Sequence, residues 1–334
     1  MEKQMINGMS IVDWANSLIP AAREKYGFGE EYDIKLFYQS ENTTYMVKNK
    51  KTGEKTVLRI CKPGYHSMDE LKGETEFINA IKNYSDIVMP EPVKGLDGEY
   101  VQVINDDYYC VLFSFIEGET PKQDNISELG NYFYKLGQVT AKMHKATIDS
   151  GISDKAVRPA WTPEKLFGKE AELGNYRECS EFTDADLKMF DKVEELIYKR
   201  LDEYGKNKDN YGLVHSDCRL ANLLVKDDKI AVIDFDDSGY CWYLNDYGSA
   251  FSFIEDSEYV PMLSENWING YESVRKLSDN DKNEMDTFIL IRRLLLQGFL
   301  HTHTESEAIK DGVHIDYWKG TLELAERYLE NYAL

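Results

Sequence analysis

The sequence predicts an α+β protein in two parts, a small strand-rich N-terminal lobe and a larger, mainly helical C-terminal lobe. Three observations predict it. The chain has 334 residues, enough for roughly two domains of about 100–200 residues each. Its texture changes along its length, from short alternating runs punctuated by turn residues to long stripes at helical spacing. Three short strand-like runs, 211–214, 223–225 and 229–233, then recur inside the helical half around a segment rich in Asp and Asn. The lobes are expected at 1–116 and 117–334, with a hinge at about 114–118.

Ser10 is a plausible N-cap for the first helix, because Ile11, Trp14, Ala15, Leu18, Ile19 and Ala22 follow at helical spacing. Strands are expected over 33–38, 44–49 and 55–60, the last two joined by a Lys51-Thr52-Gly53 turn. A helix is expected over about 68–83, and strands near 100–104 and 109–116. Beyond Glu117-Gly118 the stripe Leu129, Tyr132, Phe133, Leu136, Val139 and Met143 predicts an amphipathic helix. There is no long-period repeat and no low-complexity tract.

Composition narrows the function classes. Hydrophobic residues at 42% and charged residues at 30% fit a soluble globular protein. The net charge of −21 repels phosphate polyanions at long range, so neither a nucleic acid nor an anionic membrane is expected as partner. A small local phosphate site is compatible with it. Nothing in the sequence sets an oligomeric state. Five cysteines, at 61, 110, 179, 218 and 241, form no Cys-x-x-Cys pair and point to a reduced, cytoplasmic protein. The start, Met1-Glu-Lys-Gln4, has no apolar stretch behind a basic segment, so no signal peptide is expected. The apolar run 288–300 contains Arg292 and Arg293 and is too short and too charged to span a bilayer.

The chemistry concentrates in Leu213-Val-His-Ser-Asp-Cys-Arg-Leu-Ala-Asn-Leu-Leu-Val225, followed by Ile230-Ala-Val-Ile-Asp-Phe-Asp-Asp237. Its skeleton is His215-x-Asp217, with Asn222 after the aspartate and Asp234 after the asparagine. A turn at Asp227-Asp228 would fold the two strand-like runs into a hairpin and bring Asp234 beside the loop that holds Asp217 and Asn222. Phosphoryl transfer from a nucleotide needs such a set. One carboxylate orients the acceptor hydroxyl and takes its proton; an amide oxygen and a second carboxylate hold Mg²⁺, a hard cation that neutralises charge on the transferring phosphate. The plainer alternative is a solvated hairpin with an incidental Asp-x4-Asn, since both residues are common in turns. The joint pattern is far rarer than its parts.

The segment from His215 to Asp246 resembles the core of the aminoglycoside phosphotransferase / choline kinase family, also called the phosphotransferase enzyme family. The runs Ile233-Asp-Phe-Asp-Asp-Ser-Gly-Tyr240 and Tyr243-Leu-Asn-Asp-Tyr-Gly248 are most similar to its broad bacterial branch of homoserine-kinase-like and hydroxylysine-kinase-like proteins. The resemblance implies a bilobal, protein-kinase-like fold with a small antiparallel sheet in the N-lobe. It implies Asp217 as the catalytic aspartate and Asn222 and Asp234 as Mg²⁺ ligands. His215 would pack the catalytic loop, and Asp246 would hydrogen-bond its backbone. Ser216 departs from the family's usual glycine, which matters if the position needs a positive φ.

In the N-lobe the resemblance places Arg59 where a phosphate-contacting lysine is usual, with Glu74 as its helix partner. Arginine can grip phosphate oxygens bidentately; the alternative is a strand-surface charge and a solvated glutamate. The run Gln39-Ser-Glu-Asn-Thr-Thr-Tyr45 would cover the phosphates through Ser40, Asn42 and Thr43. It lacks Gly-x-Gly-x-x-Gly, which argues against an ordinary protein kinase. Backbone groups of Ser114 and Ile116 would meet the adenine edge, with Phe113 behind the pocket, unless these are core strand residues only. His301-Thr-His303 is read as a helix end, and His144 as a packed, hydrogen-bonded histidine. Cys218 has no basic partner identifiable in sequence.

The acceptor is encoded more weakly. Residues 1–117 carry a net charge of −6 and the remaining 217 carry −15, which favours an amine-bearing alcohol. Asp236, Asp237, Glu255 and Asp256 are candidate partners for its amine, and Tyr240, Trp242 and Tyr243 candidate cation–π faces; the alternative places these aromatics in the core. The expected function is a kinase that uses Mg²⁺ and ATP, with GTP as the alternative nucleotide, to phosphorylate a hydroxyl of a small molecule. That molecule would be of the aminoglycoside, choline or ethanolamine, homoserine or hydroxylysine type. The rivals are a non-catalytic nucleotide-binding module on the same fold and a protein Ser/Thr kinase.

Overall fold

The computed structural model describes residues 5–6, 8–105, 108–122, 126–227, 229–303, 307–310 and 312–333. Residues 1–4 and Asp228, both used in the sequence reading, lie outside them. The chain divides into two compact units, one of Met1–Gly118 with Asp154–Arg158, the other of Glu119–Ser153 with Pro159–Leu334.

The first unit opens with a two-strand ladder of β1 (Met5–Ile6) and β2 (Met9–Ser10). The next helix, α1 (Ile11–Tyr26), begins where Ser10 Oγ accepts the Asp13 N–H at 3.1 Å and ends at Gly27, whose φ of 67° suits a residue without a Cβ. Then come β3 (Tyr32–Gln39), β4 (Thr43–Asn49), β5 (Lys55–Ile60), α2 (Met68–Tyr84), β6 (Pro92–Val93), β7 (Val101–Ile104) and β8 (Tyr108–Ser114). The sheet runs β3-β4-β5-β8-β6, with β7 also on β8, and every pairing is antiparallel.

Strand alternation puts Tyr45, Val47, Leu58 and Ile60 on one buried face, where Trp14, Ala15, Leu18 and Ala22 of α1 cover them. A capping box of Ser67 and Glu70 starts α2. The segment Asp154–Arg158 packs on the same helix: Arg158 donates to the Glu70 carbonyl at 2.9 Å. A Cβ at Gly73 would run into the Val157 carbonyl, so this approach requires glycine.

The second unit is mainly helical: α3 (Ile126–Ser150), α4 (Pro163–Leu166), α5 (Asp184–Tyr204), then β9 (Tyr211–Val214), β10 (Leu223–Lys226), β11 (Lys229–Val232) and β12 (Gly239–Trp242), then α6 (Leu244–Ala250), α7 (Val260–Glu272), α8 (Asp279–Thr302), α9 (Glu307–Lys310) and α10 (His314–Tyr332). Helices α3 and α7 approach closely at Gly137 and Gly270, where an added Cβ would meet the opposing backbone carbonyl. The run 288–300 lies in α8 as a core helix, with Arg293 fully buried and Arg292 partly so. Among the described residues no helix is long and apolar enough to cross a membrane.

Two short antiparallel ladders frame the functional segment: β9 with β12, and β10 with β11. The second ladder is the expected hairpin. Strand β12 was not expected, because Gly239-Tyr-Cys-Trp242 has no polar/apolar alternation of its own. It is ordered by pairing with β9, which buries Cys241 and Trp242. The fold is α+β in class, as the sequence predicts.

Candidate active site

The loop from His215 to Asn222 links β9 to β10, and its backbone is held from both sides. Asp246, fully buried on α6, accepts the N–H of Ser216 through Oδ1 at 2.7 Å and that of His215 through Oδ2 at 3.1 Å. The same Oδ2 accepts from His144 Nε2 at 3.0 Å. His144 Nδ1 in turn accepts from the Tyr271 hydroxyl at 2.9 Å, and that oxygen accepts from Arg275 at 2.7 Å. Burial lowers the His144 pKa despite the neighbouring carboxylate, so the ring is neutral with its proton on Nε2.

His215 is also buried. Its Nδ1 accepts the Asp217 N–H at 3.3 Å and its Nε2 donates to the Ile233 carbonyl at 3.1 Å. These partners fix its tautomer and tie the loop to the end of β11. Ser216 has φ 69°, a conformation that costs a non-glycine residue about 1–2 kcal/mol. Its buried hydroxyl has no hydrogen-bond partner among the described residues.

Asp217 is the best-held side chain of the loop, yet keeps 16% of its side-chain surface exposed. Its Oδ2 accepts from Asn222 Nδ2 at 2.7 Å and from Arg219 Nε at 3.0 Å. Its Oδ1 is paired with Arg292 of α8. Burial alone would raise the carboxyl's pKa; the Arg219 and Arg292 guanidiniums outweigh it and hold the group well below the usual carboxylate range.

Asn222 gives both amide protons to Asp217, one to Oδ2 and one to the backbone carbonyl at 2.9 Å. That orientation leaves its amide oxygen as the atom able to ligate a cation. The Asn222 carbonyl accepts the Ile233 N–H at 2.9 Å, so the β10–β11 hairpin sets Asp234 in the residue after Asn222's partner. Asp234 is exposed, with φ 68°. Among the described residues no group of three or more His, Cys, Asp or Glu is placed to hold a metal. The Asp234 carboxylate and the Asn222 amide oxygen would suit an ion that takes most of its remaining ligands from phosphate and water, as Mg²⁺ commonly does.

In the first unit, Arg59 and Glu74 form a bidentate, buried pair, with Nη1 to Oε1 at 3.0 Å and Nη2 on Oε2. Antiparallel pairing of β5 with β4 sets Arg59 opposite Thr44, and its guanidinium lies 5.1 Å from the Phe113 ring. Of the three loop residues singled out beside it, only Ser40 is exposed. Asn42 spends Oδ1 on the Lys62 N–H at 2.9 Å, and Thr43 is wholly buried. The Ser114 N–H is committed to the Glu91 carbonyl at 2.8 Å, and its hydroxyl accepts from the Glu91 N–H. The amide of Ser114 is therefore spent within the sheet. Ile116 lies beyond the end of β8 and is half-buried.

The expected acceptor residues scatter. Glu255 is fully buried, accepting from Arg293 at 3.2 Å and from the Tyr317 hydroxyl at 2.9 Å. Trp242 is buried and gives its Nε1 proton to the Gly205 carbonyl, with Lys206 Nζ 4.6 Å from its ring. Tyr243 is buried between Arg275, 5.3 Å from its ring, and a stacked His144. The chain's own cations already cover these two faces, which corrects the reading of both as open aromatic surfaces. The Tyr240 hydroxyl bonds the Ser153 carbonyl at 2.8 Å, Asp236 is buried, and Asp237 is half-buried with its carbonyl on Trp161 Nε1. All five cysteines are buried and none is in a disulfide.

The sequence reading missed Arg292 as part of this site. Its signal was present: an arginine inside an apolar helix must find a partner, because an unpaired buried charge is costly.

A loop aspartate held by two arginines and an asparagine amide, on this α+β fold, is the arrangement expected of a phosphoryl-transfer enzyme. The chain belongs to the phosphotransferase enzyme family, which it matches over residues 35–277, and is a small-molecule phosphotransferase of that class. It is similar to the amicoumacin kinase of Bacillus subtilis (strain 168), at 24% identity over 298 residues, covering 85% of this chain and 84% of the relative. A solved microcompartment-associated aminopropanol kinase superposes with a TM-score of 0.79 at 30% identity, over 97% of this chain and 99% of that one. An amicoumacin kinase solved with AMP-PNP, Ca²⁺ and Ami superposes with a TM-score of 0.73 at 20% identity, over 93% of each chain.

Proposed function

We propose that this enzyme transfers the γ-phosphate of ATP, as its Mg²⁺ complex, to a hydroxyl of a small amine-bearing molecule. The observation that carries the reading is Asp217: a carboxylate kept ionised by two guanidiniums, partly exposed, and joined through Asn222 to the hairpin that presents Asp234. Asp217 orients the acceptor hydroxyl for in-line attack. Because its pKa is held so low, it is a weak base, suited to a loose transition state in which the hydroxyl's proton leaves late. Asn222 and Asp234 are the residues that would hold the metal, which neutralises phosphate charge when bound. In the first unit, Arg59, kept in place by Glu74, supplies the cation for nucleotide phosphates, and Ser40 and Ile116 are the accessible residues of the nucleotide set.

The amine on the acceptor is supported by the aminopropanol kinase relative, by the amicoumacin kinases and by the charge of −15 beyond residue 117. Nucleotide and divalent metal are supported by the amicoumacin kinase that binds AMP-PNP and Ca²⁺. The test is phosphorylation of short amino alcohols, choline, ethanolamine, aminoglycosides and amine-free alcohols of matched size with Mg-ATP and Mg-GTP, read by ³¹P NMR. Phosphate ester on at least one amine-bearing alcohol, abolished by EDTA, is the expected result. Transfer only to amine-free alcohols, or transfer indifferent to EDTA, would reject the reading.

A further inference from the structure

Three groups hold the Asp217 carboxylate, and they are not equivalent. Arg219 lies two residues away, gives one nitrogen, and is 34% exposed. Asn222 belongs to the same short loop. Arg292 comes from α8, a 24-residue helix whose residues around it are buried, and is 11% exposed. All three kinds of nitrogen on its guanidinium are used: Nε donates to Ser252 Oγ at 2.9 Å, Nη1 to the Ser216 carbonyl at 3.3 Å, and Nη2 is on Asp217 Oδ1. Ser252 is itself fixed by donating to the Ser249 carbonyl at 2.6 Å.

We propose that Arg292 is a positioning residue for phosphoryl transfer: its three-way fork anchors the Asp217 carboxylate and the strained Ser216 peptide to the helical core. This rests on the assignment of Asp217 as the residue that orients the acceptor hydroxyl. The Ser216 peptide has its N–H on Asp246 and its carbonyl on Arg292, so the left-handed residue is clamped at both ends. Without Arg292, one clamp and one carboxylate contact disappear together, and the carboxylate regains rotamers that miss the hydroxyl. Misplacement of a reacting group by about 1 Å costs on the order of 100-fold in rate. Lysine keeps the charge but has a single nitrogen, so it cannot reproduce the fork.

The test is a double-mutant cycle of Arg292→Met and Asp217→Asn, measured with Mg-ATP and the best acceptor of the wild type. In the wild-type background Arg292→Met is expected to lower kcat about 100-fold, with KM for nucleotide and acceptor changed by less than about threefold. In the Asp217→Asn background the same change should cost less than about threefold, because Arg292 acts through the carboxylate. Ethylguanidinium added to Arg292→Ala should restore part of kcat; ethylammonium should not.

Equal losses in the two backgrounds, or a raised KM at unchanged kcat, would overturn the proposal and make Arg292 an independent binding group. Wild-type turnover in Asp217→Asn would remove the assignment of Asp217, and this role with it. A deep loss in Asp217→Asn with an additive Arg292→Met removes the role of Arg292 alone. If Arg292→Met does not fold by urea titration, Arg292→Lys takes its place in the cycle with the same criteria.

Discussion

Arg292 and Arg293 are neighbours on one helix, and each holds a carboxylate of a different kind. Arg293 is sealed. It meets Glu255, Asp256, the Tyr317 carbonyl and Thr321 Oγ1, and its guanidinium lies 3.4 Å from the centre of the Tyr317 ring. Even the backbone nearby is cleared for it, since a Cβ at Gly320 would collide with the Asp256 carboxylate and with Arg293 itself. Burial raises the Glu255 pKa although Arg293 opposes the shift. Asp217, held by Arg292, stays partly exposed, and its pKa is lowered. One carboxylate is sealed into the fold; the other is held ionised where a small molecule can reach it. Exposure, not the number of donors, separates structure from chemistry here, since each carboxylate accepts from three donors, an arginine among them.

The largest expected effect sharpens that contrast. Arg293→Met leaves Glu255 buried without its cation, which should cost about 3–5 kcal/mol of stability, read by urea unfolding. Turnover per folded molecule should stay within about threefold of wild type. A kcat loss like that expected of Arg292→Met, at unchanged stability, would erase the distinction between the neighbours.

A smaller effect concerns pH. The folded pKa of His144 lies below its ordinary value of about 6.5. Its contribution to stability is therefore fully present above pH ~6.5 and is lost as pH falls toward the folded pKa. Wild type should lose up to about 1.4 kcal/mol per pH unit through this one group in that window. His144→Gln should flatten the slope by about one proton, as unfolding free energies at pH 7.5, 6.5 and 5.5 would reveal. An unchanged slope would mean that burial does not control this ring.

The smallest effect is at Ser216. Ser216→Gly removes a left-handed non-glycine residue and a buried hydroxyl that has no partner among the described residues. It should stabilise the enzyme by about 1 kcal/mol, with kcat within about twofold. Destabilisation would mean that the hydroxyl is used.

Local pattern made much of this legible. Apolar spacing after Ser10 predicts α1, and the strands 211–214 and 229–233 lie on β9 and β11 to within a residue. The order His215, Asp217, Asn222, Asp234 pointed to the loop and hairpin because those partners lie close in sequence. What stayed hidden depends on distant partners. Arg292 meets Asp217 across 75 positions, and no spacing rule reaches that far. Ser114 looked available for a nucleotide edge until Glu91, 23 positions away, took its amide and hydroxyl. Trp242 and Glu255 looked like acceptor contacts because aromatics and acids near a motif invite that reading. Their burial is decided by β9 and by α8, which lie elsewhere in the chain.

The central claim is that Asp217 orients the acceptor for transfer from a metal-bound nucleotide. The most direct measurement is kcat of Asp217→Asn against wild type, with unfolding followed on the same preparations. The expected result is a fall of about 10²–10⁴-fold, with the cooperative unfolding transition retained. Turnover within about threefold of wild type in the folded variant would contradict it.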